Sequence, residues 1–159
     1  MATKKKARRP AARRKRPARR AAAKRHSRQR PESVRARSLS VSLTVNDIAK
    51  SLSWYTDVLG FTTASKWEDG GSLQGAELKA GTTRVILNQD DWGKGRDRIK
   101  GLGLQLYFST AQDLDQLAAR IKAKGGALRE EPHRTAWGSY SFALTDPDGF
   151  QLTFTQLER

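Results

Sequence analysis

Between residues 39 and 157 the apolar side chains switch between two spacings, and the switch happens twice. Val41, Leu43 and Val45 alternate with Ser42 and Thr44, which predicts a strand with one buried and one polar face. Asn46 or Asp47 then caps a helix that carries Ile48, Leu52, Tyr55 and Leu59 on one side, and Gly60 closes it. Leu104, Leu106 and Phe108 repeat the strand pattern around Gln105 and Tyr107. Asp113 opens a second helix with Leu114, Leu117 and Ile121, closed by Gly125 and Gly126. Asp47 and Asp113 are 66 residues apart, and so are Gly60 and Gly126. The segment Arg84–Gln89 precedes Gln151–Gln156 by 67 residues, with apolar and variable positions in the same order.

A repeat of this length constrains architecture more than any single element does. The repeated unit reads as strand, helix and three strands. The expected fold is therefore α+β: two βαβββ modules forming a curved mixed sheet around a concave cleft, with helices covering the other side. Module one spans 39–91, the linker 92–100 and module two 101–157. A ligand would sit in the cleft.

Charge divides the chain differently. Residues 1–37 hold 17 of the 31 Lys and Arg and one acid, Glu32; the remainder holds 14 basic and 15 acidic residues. The net +15 thus belongs to the first 37 residues, and 38–159 is nearly neutral. Ala, Lys, Arg and Pro cannot bury enough surface to offset ordering entropy, so 1–37 reads as a disordered polycationic tail. Lys4, Lys5, Lys6, Arg8, Arg9, Arg13, Arg14, Lys15, Arg16, Arg19 and Arg20 form its densest run. Such a segment binds polyphosphates by counterion release with little sequence selectivity, so DNA or RNA is the expected partner. Anionic membrane surfaces are a second. The absence of cysteine excludes disulfides, thiolate metal sites and a cysteine nucleophile. No apolar run is long enough to span a membrane, and no apolar stretch follows the basic start as in a secretory signal, so a cytoplasmic address is expected.

The motifs Val45-Asn46-Asp47, Ser51-Leu52-Ser53-Trp54-Tyr55, Val58-Leu59-Gly60-Phe61, Trp137-Gly138 and Asp146-Pro147-Asp148-Gly149-Phe150 resemble the vicinal oxygen chelate superfamily of glyoxalases, extradiol dioxygenases and bleomycin-resistance proteins. The resemblance spans residues 39–156 and leaves the tail uncovered. It implies a homodimer, and in the enzymes of the group it implies a divalent metal on the concave face, held by His, Glu or Gln. Carried over position by position, those ligands fall on Ser40, Ile86, Gly103 and Thr153. That set lacks the imidazole and carboxylate donors that a transition metal requires. The expectation is no metal, no cofactor and no catalytic residue. A shift of one strand position would instead offer Asn88, Gln105 or Gln151.

Period-two alternation assigns the concave face to Ser40, Ser42, Thr44, Arg84, Ile86, Asn88, Gly103, Gln105, Tyr107, Gln151 and Thr153, with Trp137 of the Trp-Gly motif at its edge. Such a surface is rich in hydroxyls and amides and orients a ligand better than it transforms one. Trp67, Trp92 and Trp137 read as flanking strand ends or loops, in packing, dimer or ligand contacts. His133 reads as a solvated loop residue, and Asp90-Asp91 as part of a charged loop with a hard-cation site as the alternative. Asp146-Pro147-Asp148-Gly149 reads as a turn without catalytic role.

The leading expectation is a metal-independent small-molecule-binding protein of the bleomycin-resistance type with a nucleic-acid-associating tail. One alternative is a glyoxalase- or dioxygenase-like metalloenzyme with a displaced metal site. Another is a dimerisation module whose tail does the work.

Overall fold

The first apolar alternation forms strand β1 (Ser40–Val45), and the repeat follows in chain order: α1 (Ile48–Ser53), β2 (Thr62–Asp69), β3 (Ser72–Ala80) and β4 (Thr83–Gln89). The second unit comprises β5 (Gln105–Thr110), α2 (Leu114–Ala123), β6 (Leu128–Arg134), β7 (Tyr140–Thr145) and β8 (Gln151–Gln156). These elements are seen in a computed structural model that describes Val34 and residues 36–96 and 98–157. The tail residues from Lys4 to Arg20 lie outside the described residues.

Each module is a four-stranded mixed sheet, ordered β1-β4-β3-β2 in the first and β5-β8-β7-β6 in the second. The first strand of each pairs in parallel with the last, and the other pairings are antiparallel. The expected α+β fold of two βαβββ modules is therefore the observed one.

Both helices are capped as their sequences require. Asp47 accepts the Lys50 amide at 3.0 Å, and Asp113 accepts the Gln116 amide at 2.9 Å. α1 then widens into a π-helical turn, Trp54–Val58, where the Thr56 hydroxyl bonds back to the carbonyls of Leu52 and Ser53. The apolar sides of sheets and helices merge into one core that runs through both modules, from Leu43 and Val45 to Leu152 and Phe154. A ladder of rings crosses it: Tyr55 to Phe61, Phe61 to Phe108, Phe108 to Phe154 and Phe154 to Phe142. Gly126 ends α2 where Val58 and Ile121 approach, and a Cβ there would collide with both.

The modules are joined on this helix side. The Asn46 amide and the Ser51 hydroxyl donate to Asp148 at 2.6 and 2.7 Å, and the Tyr55 hydroxyl donates to Asp146 at 2.9 Å. No helix of the described residues is long and apolar enough to cross a membrane.

Candidate functional site

Alternation leaves one side of each sheet polar. In the first module the β1–β4 register sets Ser40 beside Arg84, Ser42 beside Ile86 and Thr44 beside Asn88. The predicted residues of this half are thus brought together, and the Asn88 amide donates to the Ser42 hydroxyl at 2.6 Å. β3 extends the face with Lys79, Glu77 and Gly75 opposite Arg84, Ile86 and Asn88. Glu77 was not among the predicted residues, although Ala76, Leu78 and Ala80 alternate with Glu77 and Lys79 and could have revealed it. Its carboxylate is paired with the Arg84 guanidinium, which lowers its pKa. Trp67 lies inside β2 opposite Gly75 rather than at a strand end, and its indole fills the space a Cβ at Gly75 would need.

In the second module Gln105 lies beside Gln151 and Tyr107 beside Thr153. The Gln105 amide donates to the Thr153 hydroxyl at 3.0 Å, and Ser109 and Thr155 share a bond at 3.2 Å. Tyr107 stands 60% exposed, its ring open to a partner or ligand. One expected member departs from the pattern. Gly103 precedes the strand in a turn, with φ of 70° and the Leu104 amide bonded back to Gly101, because the chain turns before alternation begins. Trp137 occupies the turn between β6 and β7 and is 76% exposed.

His133 is also displaced from its expected loop. It belongs to β6 opposite Ser141, and its Nδ1 lies 2.8 Å from the Glu131 carbonyl. The strand tolerates Pro132 because it forms the sheet edge and its register slips between Glu130 and His133.

Asp91, Lys94 and Arg96 form the exposed charged loop that was expected after β4, but the ends of the segment are packed. Asp90 and Lys100 are buried and paired, and Arg98 donates to the same carboxylate at 2.9 Å. Asp90 also accepts the Trp92 amide, and these donors, Lys100 foremost, hold its pKa down at about 2. Trp92 adopts φ of 60°, rare for a side chain of its size, with Arg96 and Lys100 over its ring at 5.0 and 5.3 Å. Two small cavities, of about 260 and 280 Å³, lie where this linker crosses Thr44 at the edge of the first polar face.

The Asp146–Gly149 turn is formed as expected, Asp146 accepting the amides of Asp148 and Phe150. Its links to Tyr55, Ser51 and Asn46 were not legible. Burial raises the pKa of Asp146, and burial with the facing Asp146 carboxylate raises that of Tyr55.

The two polar faces share no hydrogen bond among the described residues, and neither small cavity is lined by both. The positions onto which the family resemblance carries the metal ligands, Ser40, Ile86, Gly103 and Thr153, offer no imidazole or carboxylate, and the register makes Gln105 rather than Gly103 the counterpart of Ser40. Ser42, not Ser40, is level with Ile86; the adjacent carboxylate, Glu77, is engaged by Arg84. No three His, Asp or Glu side chains gather among the described residues.

A family model described as "Glyoxalase/Bleomycin resistance protein/Dioxygenase superfamily" matches residues 37–154. The chain is 29% identical over 133 residues to a probable lactoylglutathione lyase of Vibrio cholerae, covering 76% of this chain and 90% of that protein. Its fold is similar to that of TioX from Micromonospora sp. ML1, with TM-score 0.63 and 20% identity over 76% of this chain and 98% of that one. It is also similar to TnmS3, an antibiotic binding protein from Streptomyces sp. CB03234, with TM-score 0.60 and 22% identity over 77% and 97% of the two chains.

Proposed function

This chain belongs to the Glyoxalase/Bleomycin resistance protein/Dioxygenase superfamily, and from that membership we propose that it binds a small organic molecule on its polar sheet faces without a metal ion. The observation that carries the reading is the donor set. By the family resemblance the ligand positions fall on Ser40, Ile86, Gly103 and Thr153, none of them an imidazole or carboxylate, and the carboxylate beside Ile86, that of Glu77, is neutralised by Arg84. What remains on the faces is amides and hydroxyls, with Lys79 and Arg129 as cations and Tyr107 as an exposed aromatic surface. Such groups fix the orientation of a ligand by hydrogen bonds and stacking. The similarity to an antibiotic binding protein supports this class of ligand.

The test is a thermal-shift series on the full chain with divalent metals, with chelator, and with a library of small organic molecules. No response to metal or chelator is expected, together with ligand stabilisation that Ile86→Trp abolishes. Saturable stabilisation by one metal, reversed by chelator, would overturn the reading. It would then favour a glyoxalase-like enzyme with a displaced site, the alternative supported by the similarity to lactoylglutathione lyases and by Glu77 standing beside Ile86.

A homodimer completes the proposal. The two faces of one chain do not close on each other, so the first face of one chain meets the second face of its partner. Light scattering is expected to report a dimer; a monomer that binds ligand at full affinity would rule this out. The run from Lys4 to Arg20 adds non-specific nucleic-acid association. The logarithm of its affinity for DNA is expected to fall linearly with that of salt concentration and to vanish without residues 1–37. Unchanged binding after that deletion would sink this part.

A further inference from the structure

One cavity lies beside the aromatic core rather than on the polar faces, which it meets only at Ser109. It has a volume of about 570 Å³ and opens where the β3–β4 turn approaches the start of α2. The repeat explains why space is left there. The β7–β8 turn meets α1 through Asp146 and Asp148, which take the hydroxyls of Tyr55 and Ser51. Sixty-six residues on from Ser51 and Tyr55 stand Leu117 and Ile121, and the turn that α2 faces is Gly81-Thr82, without an acid. One junction is closed by hydroxyl–carboxylate bonds. Its counterpart has neither partner and stays open.

Its walls have a definite chemistry. Phe61, Phe108 and Phe154 line the floor, and the last two are stacked at 5.1 Å with planes 19° apart. Thr82 and Gln112 stand at the rim with hydrogen-bonding groups. Arg120, on the exposed side of α2, is the one charged side chain among the described lining residues. A volume of this size lies within the roughly 300–1,000 Å³ of small-molecule sites, which combine apolar walls with a few polar groups. We propose that the open junction is a second ligand site, for a flat, apolar small molecule that carries one negative charge. The apolar part lies against the phenylalanine floor and the charge meets Arg120. The site meets the polar faces only at Ser109 and does not rest on their use.

The probe is 8-anilinonaphthalene-1-sulfonate, an aromatic anion that brightens when it leaves water. It is titrated into the full chain at high salt, which screens the tail, with circular dichroism confirming that each variant is folded. Saturable binding at one site per chain is expected. Thr82→Trp, which fills the mouth, is expected to abolish it, and Arg120→Glu to weaken it by about two-fold, as an exposed charge screened by salt does. Ile86→Trp, on the first polar face, is expected to leave it unchanged. Loss of binding in Ile86→Trp with retention in Thr82→Trp would place the probe on the polar face and overturn the proposal, while leaving the ligand-binding reading of that face intact. Equal binding by all variants would assign it to the tail or to non-specific adsorption and overturn the proposal as well.

Discussion

Where the β7–β8 turn meets α1, Ser51 and Tyr55 donate their hydroxyl protons to Asp148 and Asp146. Where the β3–β4 turn faces α2, the equivalent helix positions hold Leu117 and Ile121, and a cavity of about 570 Å³ remains. The backbone unit is the same on both sides, so the difference is one of side-chain chemistry. A buried hydroxyl needs an acceptor, and a buried carboxylate needs donors; when both are present they draw the surfaces into contact. Leucine and isoleucine need neither. They are satisfied by their own module's core and exert no comparable pull on the turn opposite. In a duplicated fold, divergence at two helix positions and one turn is thus enough to convert a seam into a pocket.

The comparison breaks most directly at Asp146. Its carboxylate accepts the Tyr55 hydroxyl and the amides of Asp148 and Phe150. Asp146→Ala removes all three bonds and leaves buried donors unmet, a loss of about 3 kcal/mol. For a domain of this size the melting midpoint should fall by about 10 °C. An unchanged midpoint in thermal denaturation would mean that apolar packing alone holds the closed junction. Tyr55→Phe is the milder version. It keeps the ring against Trp54 and Phe61 but removes one donor, so a loss of about 1 kcal/mol is expected.

The linker offers a third joint, and acid separates it from the first. The pKa of Asp90 is held down at about 2 by Lys100, the Trp92 amide and Arg98, so its contribution is complete above the ordinary carboxylate pKa and is lost as pH falls toward 2. The pKa of Asp146 is raised by burial, so its ionisation contributes in the opposite sense, favouring the folded state as pH falls. Stability of the wild-type chain should therefore decline between about pH 4 and 2 through Asp90. Asp90→Asn is expected to lower the midpoint at neutral pH and to flatten that decline. An acid profile identical to the wild type would show that the linker pairing is not what acid dissolves.

The repeat was legible because it is written in local periods: β1 and β5 by alternation, α1 and α2 by their capping Asp47 and Asp113 and closing glycines. The polar half-sites followed from the same period, which is why Ser42, Asn88, Gln105 and Thr153 emerge on the faces assigned to them. What was not legible depends on distance along the chain. Asp146 and Asp148 were rightly read as a turn, yet their partners lie 91 to 102 residues away, and no local pattern encodes that pairing. The linker shows the same limit: Asp90, Arg98 and Lys100 look like solvated charges until tertiary packing buries Asp90 and Lys100. Gly103 and His133 were misplaced for a simpler reason. Positive φ at Gly101 and Gly103 delays the strand, and Pro132 hides one at a sheet edge.

The smallest expected effect on stability is on the first polar face, where Glu77 and Arg84 form an ion pair, as Arg129 and Glu130 do beside Gln151 of the second. Arg84 is 43% exposed along its side chain, so water screens the attraction, and Glu77→Gln should leave the melting midpoint nearly unchanged. Its consequence lies in binding. With Glu77 ionised, its pKa lowered by Arg84, the pair presents a guanidinium whose charge is already answered. Neutralising Glu77 releases that charge toward the first polar face. Ligands bearing a carboxylate should then bind several-fold more tightly while neutral ligands keep their affinity, as measured by calorimetry on both classes. Arg84→Ala should abolish the gain. Equal response of the two classes would mean that Arg84 does not face the ligand, and that the Glu77–Arg84 pair serves the sheet rather than recognition.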